Sequence, residues 1–224
     1  MDHDLTEPKA ENILKFLKMG YTLRDLLFRG ISLKIVFKLY TIIRYKLYHR
    51  GKGVDIDISA VIEGGNYIFI DDKVWIQKDA RLAVPLFDIP NIEKRPYLTI
   101  GKGTQIGPNC TISASNRVVI GNNVLFGINV LVLDHSHQYE DISKPVSCQG
   151  IIKEGEVIIE DNVWLAANSV VYIPRGKLVV GRNSVIAANT VVRKSIEPYT
   201  VVSGNPARVI KKYNFETHQW ESVR

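Results

Sequence analysis

The chain has 224 residues, enough for one substantial hydrophobic core and an appendage. Its formal net charge of +6 lies entirely in residues 1–53, which hold eleven Lys/Arg against five Asp/Glu. The remainder is balanced, so no nucleic-acid partner is expected, because that function needs a basic stripe along the fold. Two cysteines make no disulfide framework and the N-terminus is acidic and polar, which together favour a cytoplasmic location.

Residues 1–53 are predicted to form a basic, amphipathic helical segment. Apolar residues recur at helical spacing in 8–30, and those of 31–50 share one broad face of a helical wheel. The cations in 31–50 argue against a membrane-spanning helix. Two interpretations stay open. The helix caps the open end of the following domain or packs on a neighbouring subunit, or it makes a peripheral contact with the inner face of the cell membrane.

Residues 54–194 contain a six-residue repeat. A large aliphatic residue opens each unit, as at Ile100, Ile106 and Ile112, and the fourth residue after it is small or β-branched in all ten well-formed units. A period of six fits neither a helix nor a hairpin, but it fits short strands joined by bends, with one side chain per strand pointing inward. Three strands make a coil of about eighteen residues, and stacked coils bury a continuous core. We therefore predict an all-β domain, a parallel β-helix.

Two inserted loops interrupt this repeat, at 83–97, which contains three prolines, and at 133–156. The repeat ends near residue 194. The C-terminal tail, 195–224, lacks the six-residue repeat and includes a Gly-Asn-Pro turn. We expect the segment after this turn to be a short helix that covers the far end of the coils, because solenoids need both ends closed.

The second insertion is the first place to look for chemistry, because a regular solenoid has little concavity. It contains Asp134, His135 and His137, and an imidazole can accept and return a proton near neutral pH. A metal site needs three convergent ligands, and the other histidines lie outside the repeats, so no metal is expected. Cys148 in the same loop is a weaker candidate, as a thiol nucleophile.

Four stretches together resemble a known family: the hexads, the DHSH loop at 134–137, DNVWLAANSV at 161–170 and SGNPARVIKKY at 203–213. They are similar to the hexapeptide-repeat acyltransferases, most of all to the branch that O-acetylates bacterial surface polysaccharides such as lipopolysaccharide O-antigens. The tail 212–221 extends the resemblance, which covers roughly 54–222. It implies a left-handed β-helix that assembles as a homotrimer, with acetyl-CoA bound between subunits and no metal.

The resemblance also implies roles for individual residues. His135 corresponds to the catalytic histidine, with His137 as second choice, and Asp134 or a main-chain carbonyl fixes the imidazole tautomer. On the CoA side it points to Trp164, Ala167, Ala188, Arg193, Lys194, Arg208 and Lys211, although Trp164 could instead shield a corner and the tail cations could be solvated. Asn109, Ser113 and Ser115 either face the acceptor or close a turn.

The expected function is therefore acetyl-CoA-dependent O-acetylation of a sugar hydroxyl, by direct transfer with a histidine general base, in surface-polysaccharide biosynthesis. One alternative is N-acetylation of a nucleotide-linked amino sugar on the same scaffold. The other is a β-helical scaffold without catalytic activity.

Overall fold

The structure is a computed structural model that describes residues 41, 45–85 and 93–223. The chain divides into two compact units, 1–46 and 47–224. The predicted helix over 8–30 and most of the 31–50 segment lie outside the described residues, so both interpretations of that segment stay predictions. Its described end was predicted wrongly, because 45–47 have no regular secondary structure and His49–Arg50 form a strand. No helix in the described part of the chain is long and apolar enough to cross a membrane.

Three parallel sheets form the sides of a prism, and the chain visits them in turn. Sheet A consists of β1 (His49–Arg50), β4 (Ile68–Ile70), β7 (Leu98–Ile100), β10 (Arg117–Ile120), β15 (Glu154–Ile159) and β18 (Arg175–Val180). Sheet B begins with β2 (Asp55–Ile56), β5 (Trp75–Ile76), β8 (Gln105–Ile106), β11 (Leu125–Phe126), β16 (Trp164–Leu165), β19 (Val185–Ile186) and β21 (Thr200–Ser203). Sheet C consists of β3 (Val61–Glu63), β6 (Arg81–Ala83), β9 (Thr111–Ser113), β12 (Leu131–Leu133), β17 (Val170–Tyr172) and β20 (Val191–Val192).

The remaining elements are few. β22 (Arg208–Asn214) and β23 (Gln219–Ser222) complete sheet B, and β13 (Ser136–His137) pairs with β14 (Ile151–Ile152) in a separate antiparallel sheet. Two short 3-10 helices lie at Gly65–Tyr67 and Val146–Cys148. Parallel pairing runs from β1 to β21, beyond the predicted range of 54–194 at both ends.

The aliphatic residues that open the hexads form the core. In sheet A, Ile70, Ile100 and Ile120 are partners in successive strands, and each is at most 1% exposed. The small residues four positions after an opener, such as Thr104 and Cys110, are also fully buried and allow adjacent coils to stack closely. This stacking confirms the predicted parallel β-helix, and the architecture is consistent with the left-handed form.

The coils differ in length from the predicted eighteen or so residues, and the last one, from Val185 to Val201, is shorter. Ile100 pairs with Ile120, so one uninterrupted coil contains twenty residues. The additional residues lie where the chain passes from sheet C to sheet A, because Ile112 and Ile120 are eight positions apart instead of six. We call this the C–A edge; among the described residues it comprises 64–67, 84–85, 93–97, 114–116, 134–153, 173–174 and 193–195. Both insertions leave the prism at this edge.

The tail is a β-hairpin, and the predicted C-terminal helix is wrong. β21 stacks in parallel on β19, β22 pairs antiparallel with β21, and β23 pairs antiparallel with β22. The last coil leaves a row of unpaired backbone groups at its open edge, and a strand can satisfy them where a helix cannot. Ring contact between Tyr213 and Trp220, at 5.4 Å between centroids, holds the hairpin together.

Candidate active site

A buried carboxylate begins the second insertion at the C–A edge. Asp134 directly follows β12 and is fully inaccessible to solvent. Its Oδ1 accepts a hydrogen bond from the backbone N–H of Ser115 at 2.8 Å. Its Oδ2 accepts from the N–H groups of Asn116 at 2.8 Å and Arg117 at 2.7 Å. These donors compensate the carboxylate for the hydration that burial removes.

The three donors come from the corner one coil earlier. Residues 115–117 present consecutive N–H groups on one side, an arrangement that makes a concave site for an anion. The corner is held at both ends by the ladder, since Ala114 N–H donates to Ala83 O and Val118 N–H donates to Tyr97 O. The hydrogen bonds that hold the Asp134 carboxylate therefore come from the main chain of this corner.

His135 is hydrogen-bonded to this carboxylate. Its Nδ1 lies 2.8 Å from Asp134 Oδ1, and 16% of its side chain is exposed. Because an ionised carboxylate only accepts hydrogen bonds, the imidazole proton must be on Nδ1 in the neutral state. Nε2 then has a free lone pair, which is the form that a general base needs.

His137 lies in a different environment. It is exposed on β13, part of an arm that leaves the prism after Asp134 and returns at β15, and it pairs with Ile151 across the arm. Gly155 lies at the base of the arm. A Cβ atom at Gly155 would collide with the main-chain oxygens of Asp134 and Ile173. The return strand therefore packs directly against the backbone of the buried aspartate.

The predicted acceptor residues separate into two places. Ser113 and Ser115 are buried at the same edge as Asp134, and Ser113 is the strand partner of Leu133. Asn109 lies at the opposite edge, between sheets B and C, with a left-handed backbone (φ 56°) that asparagine tolerates well. The structure thus brings two of the three near His135 within one chain.

Three of the predicted cations surround one cavity. Arg193, Lys194 and Arg208 line a space of about 400 Å³, and none of them forms an ion pair with another residue in the described part of the chain. Arg193 and Lys194 lie on the C–A edge two coils above His135, a rise of about 10 Å from the usual strand spacing. Between them and His135, Tyr172 lies under the Arg193 guanidinium at 5.7 Å.

The other residues predicted on the CoA side lie elsewhere in the chain. Trp164 is 48% exposed on the outer face of sheet B, and Ala167 and Ala188 lie at the edge between sheets B and C. Lys211 is exposed on β22, outside the lining of the cation cavity. Within one chain, the predicted residues therefore form separate groups on different edges of the prism.

Sequence reasoning missed the N–H groups of 115–117, the side chain of Asn116 and the close approach at Gly155. Backbone donors have no residue signature. Gly155 did have one, because an isolated glycine in a strand such as EGEVII often marks close contact with another backbone.

The stacked hexads form a β-helix, and the buried Asp–His pair is its candidate catalytic group. No protein-family model matches the chain. It is 35% identical to a protein of Escherichia coli K12 provisionally named as a lipopolysaccharide biosynthesis O-acetyl transferase, over 58% of this chain and 67% of that protein. It is 34% identical to the galactoside O-acetyltransferase of Lactococcus lactis over 51% of this chain, and spans about half (52%) of that enzyme.

A solved structure agrees with these relatives. The hexapeptide-repeat acetyltransferase of Vibrio cholerae, complexed with acetyl-CoA, superimposes with a TM-score of 0.55 at 25% identity, over 81% of this chain and 79% of that one. The chain belongs to the hexapeptide-repeat acetyltransferases. Its class of activity is acetyl transfer from acetyl-CoA.

Proposed function

We propose that this protein is an O-acetyltransferase that modifies a sugar hydroxyl during surface-polysaccharide biosynthesis, with His135 as general base. The observation that supports this most directly is the hydrogen bond from His135 Nδ1 to the buried Asp134 carboxylate, because it leaves Nε2 as the acceptor of a side chain that is partly exposed. We infer a sugar acceptor from the names of two relatives. One name refers to lipopolysaccharide biosynthesis and the other to a galactoside.

The reaction follows from this arrangement. His135 Nε2 accepts the proton of the acceptor hydroxyl while that oxygen forms a bond to the thioester carbonyl carbon. The carbon–sulfur bond then breaks, and the imidazolium returns the proton to the departing thiolate. Asp134 stabilises the imidazolium between these steps without accepting its proton. Positioned proton transfer of this kind is worth about 10²–10⁴-fold in rate.

The cation cavity is the proposed site for the phosphates of CoA. Arg193, Lys194 and Arg208 supply three positive groups that are free to pair with anionic oxygens. Arg193 and Lys194 lie on the same edge as His135, at a distance that the extended arm of CoA can span. No metal is needed for this chemistry, because the chain's own groups move the proton.

We further propose that three copies of the chain form the enzyme. In one chain, His135 and the cation cavity lie on the C–A edge, whereas Trp164, Ala167 and Ala188 lie on another face or edge. A cleft between two neighbouring prisms would bring both groups against one substrate. The predicted membrane contact of 31–50 stays a separate proposal, tested by sedimenting the full chain and a form starting at Gly53 with anionic lipid vesicles.

The decisive experiment uses His135→Asn with His137→Asn as its matched control. An asparagine at 135 can still donate to Asp134 but lacks the Nε2 acceptor. Each purified protein is incubated with acetyl-CoA and candidate glycan precursors, and products are identified by mass spectrometry. We expect His135→Asn to lose transfer and His137→Asn to retain it. The assignment is wrong if His135→Asn turns over at the parent rate.

The same assay separates the alternatives. A product that loses its acetyl group in mild base is an ester and supports O-acetylation, whereas a base-stable amide would support N-acetylation of an amino sugar. Absence of acetyl-CoA binding by calorimetry would favour a scaffold without catalytic activity.

A further inference from the structure

Three polar groups of Asn116 contact three different partners around the Asp134–His135 pair. Its N–H donates to Asp134 Oδ2 at 2.8 Å, and its side-chain amide nitrogen donates to Gly155 O at 2.8 Å. Its carbonyl oxygen accepts from Arg95 Nη1 at 3.2 Å. Arg95 is itself held, stacked at 4.3 Å over the Tyr97 ring at the end of the first insertion.

These contacts close the base of the arm. The arm leaves the prism at Asp134 and returns at Gly155, and Asn116 is hydrogen-bonded to both ends from the coil below. The two ends also touch directly at the Gly155 position. A shift of Gly155 would therefore displace the backbone of Asp134, and His135 with it.

We propose that Asn116 is a positioning residue for the Asp134–His135 pair. Its side-chain amide fixes the return strand at Gly155, so that its own N–H can hold the carboxylate in the orientation that keeps the proton on His135 Nδ1. The inference rests on the proposed role of His135 as general base. Asn116 touches neither substrate in this proposal, and acts only through Asp134.

The chain provides a matched control at another edge. The Asn122 side-chain amide reaches Asp161 Oδ2 at 3.3 Å and so bridges the same two coils, with the same separation of 39 residues as Asn116 and Gly155. Asn122 lies where sheet A passes to sheet B, away from the C–A edge. Its loss should affect coil stacking to a similar degree without changing the catalytic pair.

The test compares Asn116→Asp and the milder Asn116→Ser with Asn122→Asp. An aspartate at 116 keeps the shape of the side chain but replaces the donor to Gly155 O with an acceptor. We expect kcat to fall about ten- to a hundredfold in Asn116→Asp. Asn116→Ser should fall less, and KM for acetyl-CoA and acceptor should stay within about twofold in both. Asn122→Asp should keep kcat within about twofold while lowering the melting temperature, because the new carboxylate faces that of Asp161.

A spectroscopic measurement distinguishes positioning from simple destabilisation. With ¹⁵N-labelled histidine, the parent should show His135 protonated at Nδ1, and the Asn116 variants should show a share of the Nε2–H form. The inference is overturned if a folded Asn116 variant has the kcat of Asn122→Asp and an unchanged tautomer. If His135→Asn is inactive in that case, only this inference fails. If His135→Asn is active, the proposed function fails as well.

Discussion

Replacing Asp134 with asparagine tests the link between the buried carboxylate and the base. The amide of Asp134→Asn has one oxygen and one NH₂ group, so one pair of the existing donors loses its acceptor. With NH₂ at the Oδ2 position, the N–H groups of Asn116 and Arg117 both face a donor. Each unmet buried donor costs about 1–3 kcal/mol, so this orientation costs about 2–6 kcal/mol.

The other orientation of the amide lowers stability less but changes the tautomer of His135. With NH₂ at the Oδ1 position, only the Ser115 N–H loses its acceptor, at about 1–3 kcal/mol. The amide then donates to His135 Nδ1, and the imidazole proton moves to Nε2. We therefore expect the free energy of unfolding to fall by about 1–3 kcal/mol. We expect kcat to fall by about 10³-fold or more, since the same exchange in a serine-protease triad lowers kcat about 10⁴-fold through the wrong tautomer.

The assay measures CoA release by chromatography at saturating substrates, and stability by denaturant titration. Asp161→Asn is the control, because Asp161 also accepts a backbone N–H, from Asn122 at 2.7 Å, but is exposed at another edge. Its kcat should match the parent. An Asp134→Asn protein that loses stability as expected while keeping kcat within about threefold of the parent would refute control of the tautomer by Asp134.

Three further changes have defined outcomes. Gly155→Ala should lower both the melting temperature and kcat, because its Cβ collides with the Asp134 carbonyl oxygen; an active, equally stable variant would contradict this packing. Arg208→Ala should raise KM for acetyl-CoA several-fold, with an effect that shrinks at high salt and is absent with acetyl-pantetheine, which lacks the nucleotide phosphates. Burial raises the pKa of the Cys110 thiol from 9.0 to about 11. The folded chain therefore keeps this proton between those pH values while the unfolded chain loses it, and stability should fall as pH rises from 9.0 to about 11. Denaturant titrations of Cys110→Ala should lack that slope, and a thiol reagent at neutral pH should modify only the exposed Cys148 until the protein unfolds.

The sequence was most informative where one side chain per hexad decides the structure. Ile70, Ile100 and Ile120 point inward and pair with one another in successive coils. Within each coil such inward residues recur about every six positions, and this period is visible in the sequence. The tail was predicted wrongly because its structure depends on the open edge left by β21. That edge exists only once the coils are stacked, and no local pattern in 208–222 reports it.

The contacts around Asp134 were readable from the sequence only in part, for a similar reason. Adjacent Asp134 and His135 are readable as a pair, but the donors that hold Asp134 lie 17 to 19 residues earlier and belong to the main chain. Asn116 would be found only by comparing residues 39 positions apart, the length of a coil that includes the arm. The residues predicted on the CoA side divide between edges of the prism, so the folding of one chain does not bring them together.

The steps of a coil differ in their number of residues, and this difference decides where the architecture can vary in length. Adding one residue to a six-residue step would turn the next inward side chain outward and would misalign the coils above it. Along the C–A edge, however, the insertion between β6 and β7 and the one between β12 and β15 already replace a bend of a few residues without disturbing the strands that follow. Length changes between related chains should therefore accumulate beside His135, the proposed general base, while the aliphatic interior stays the same.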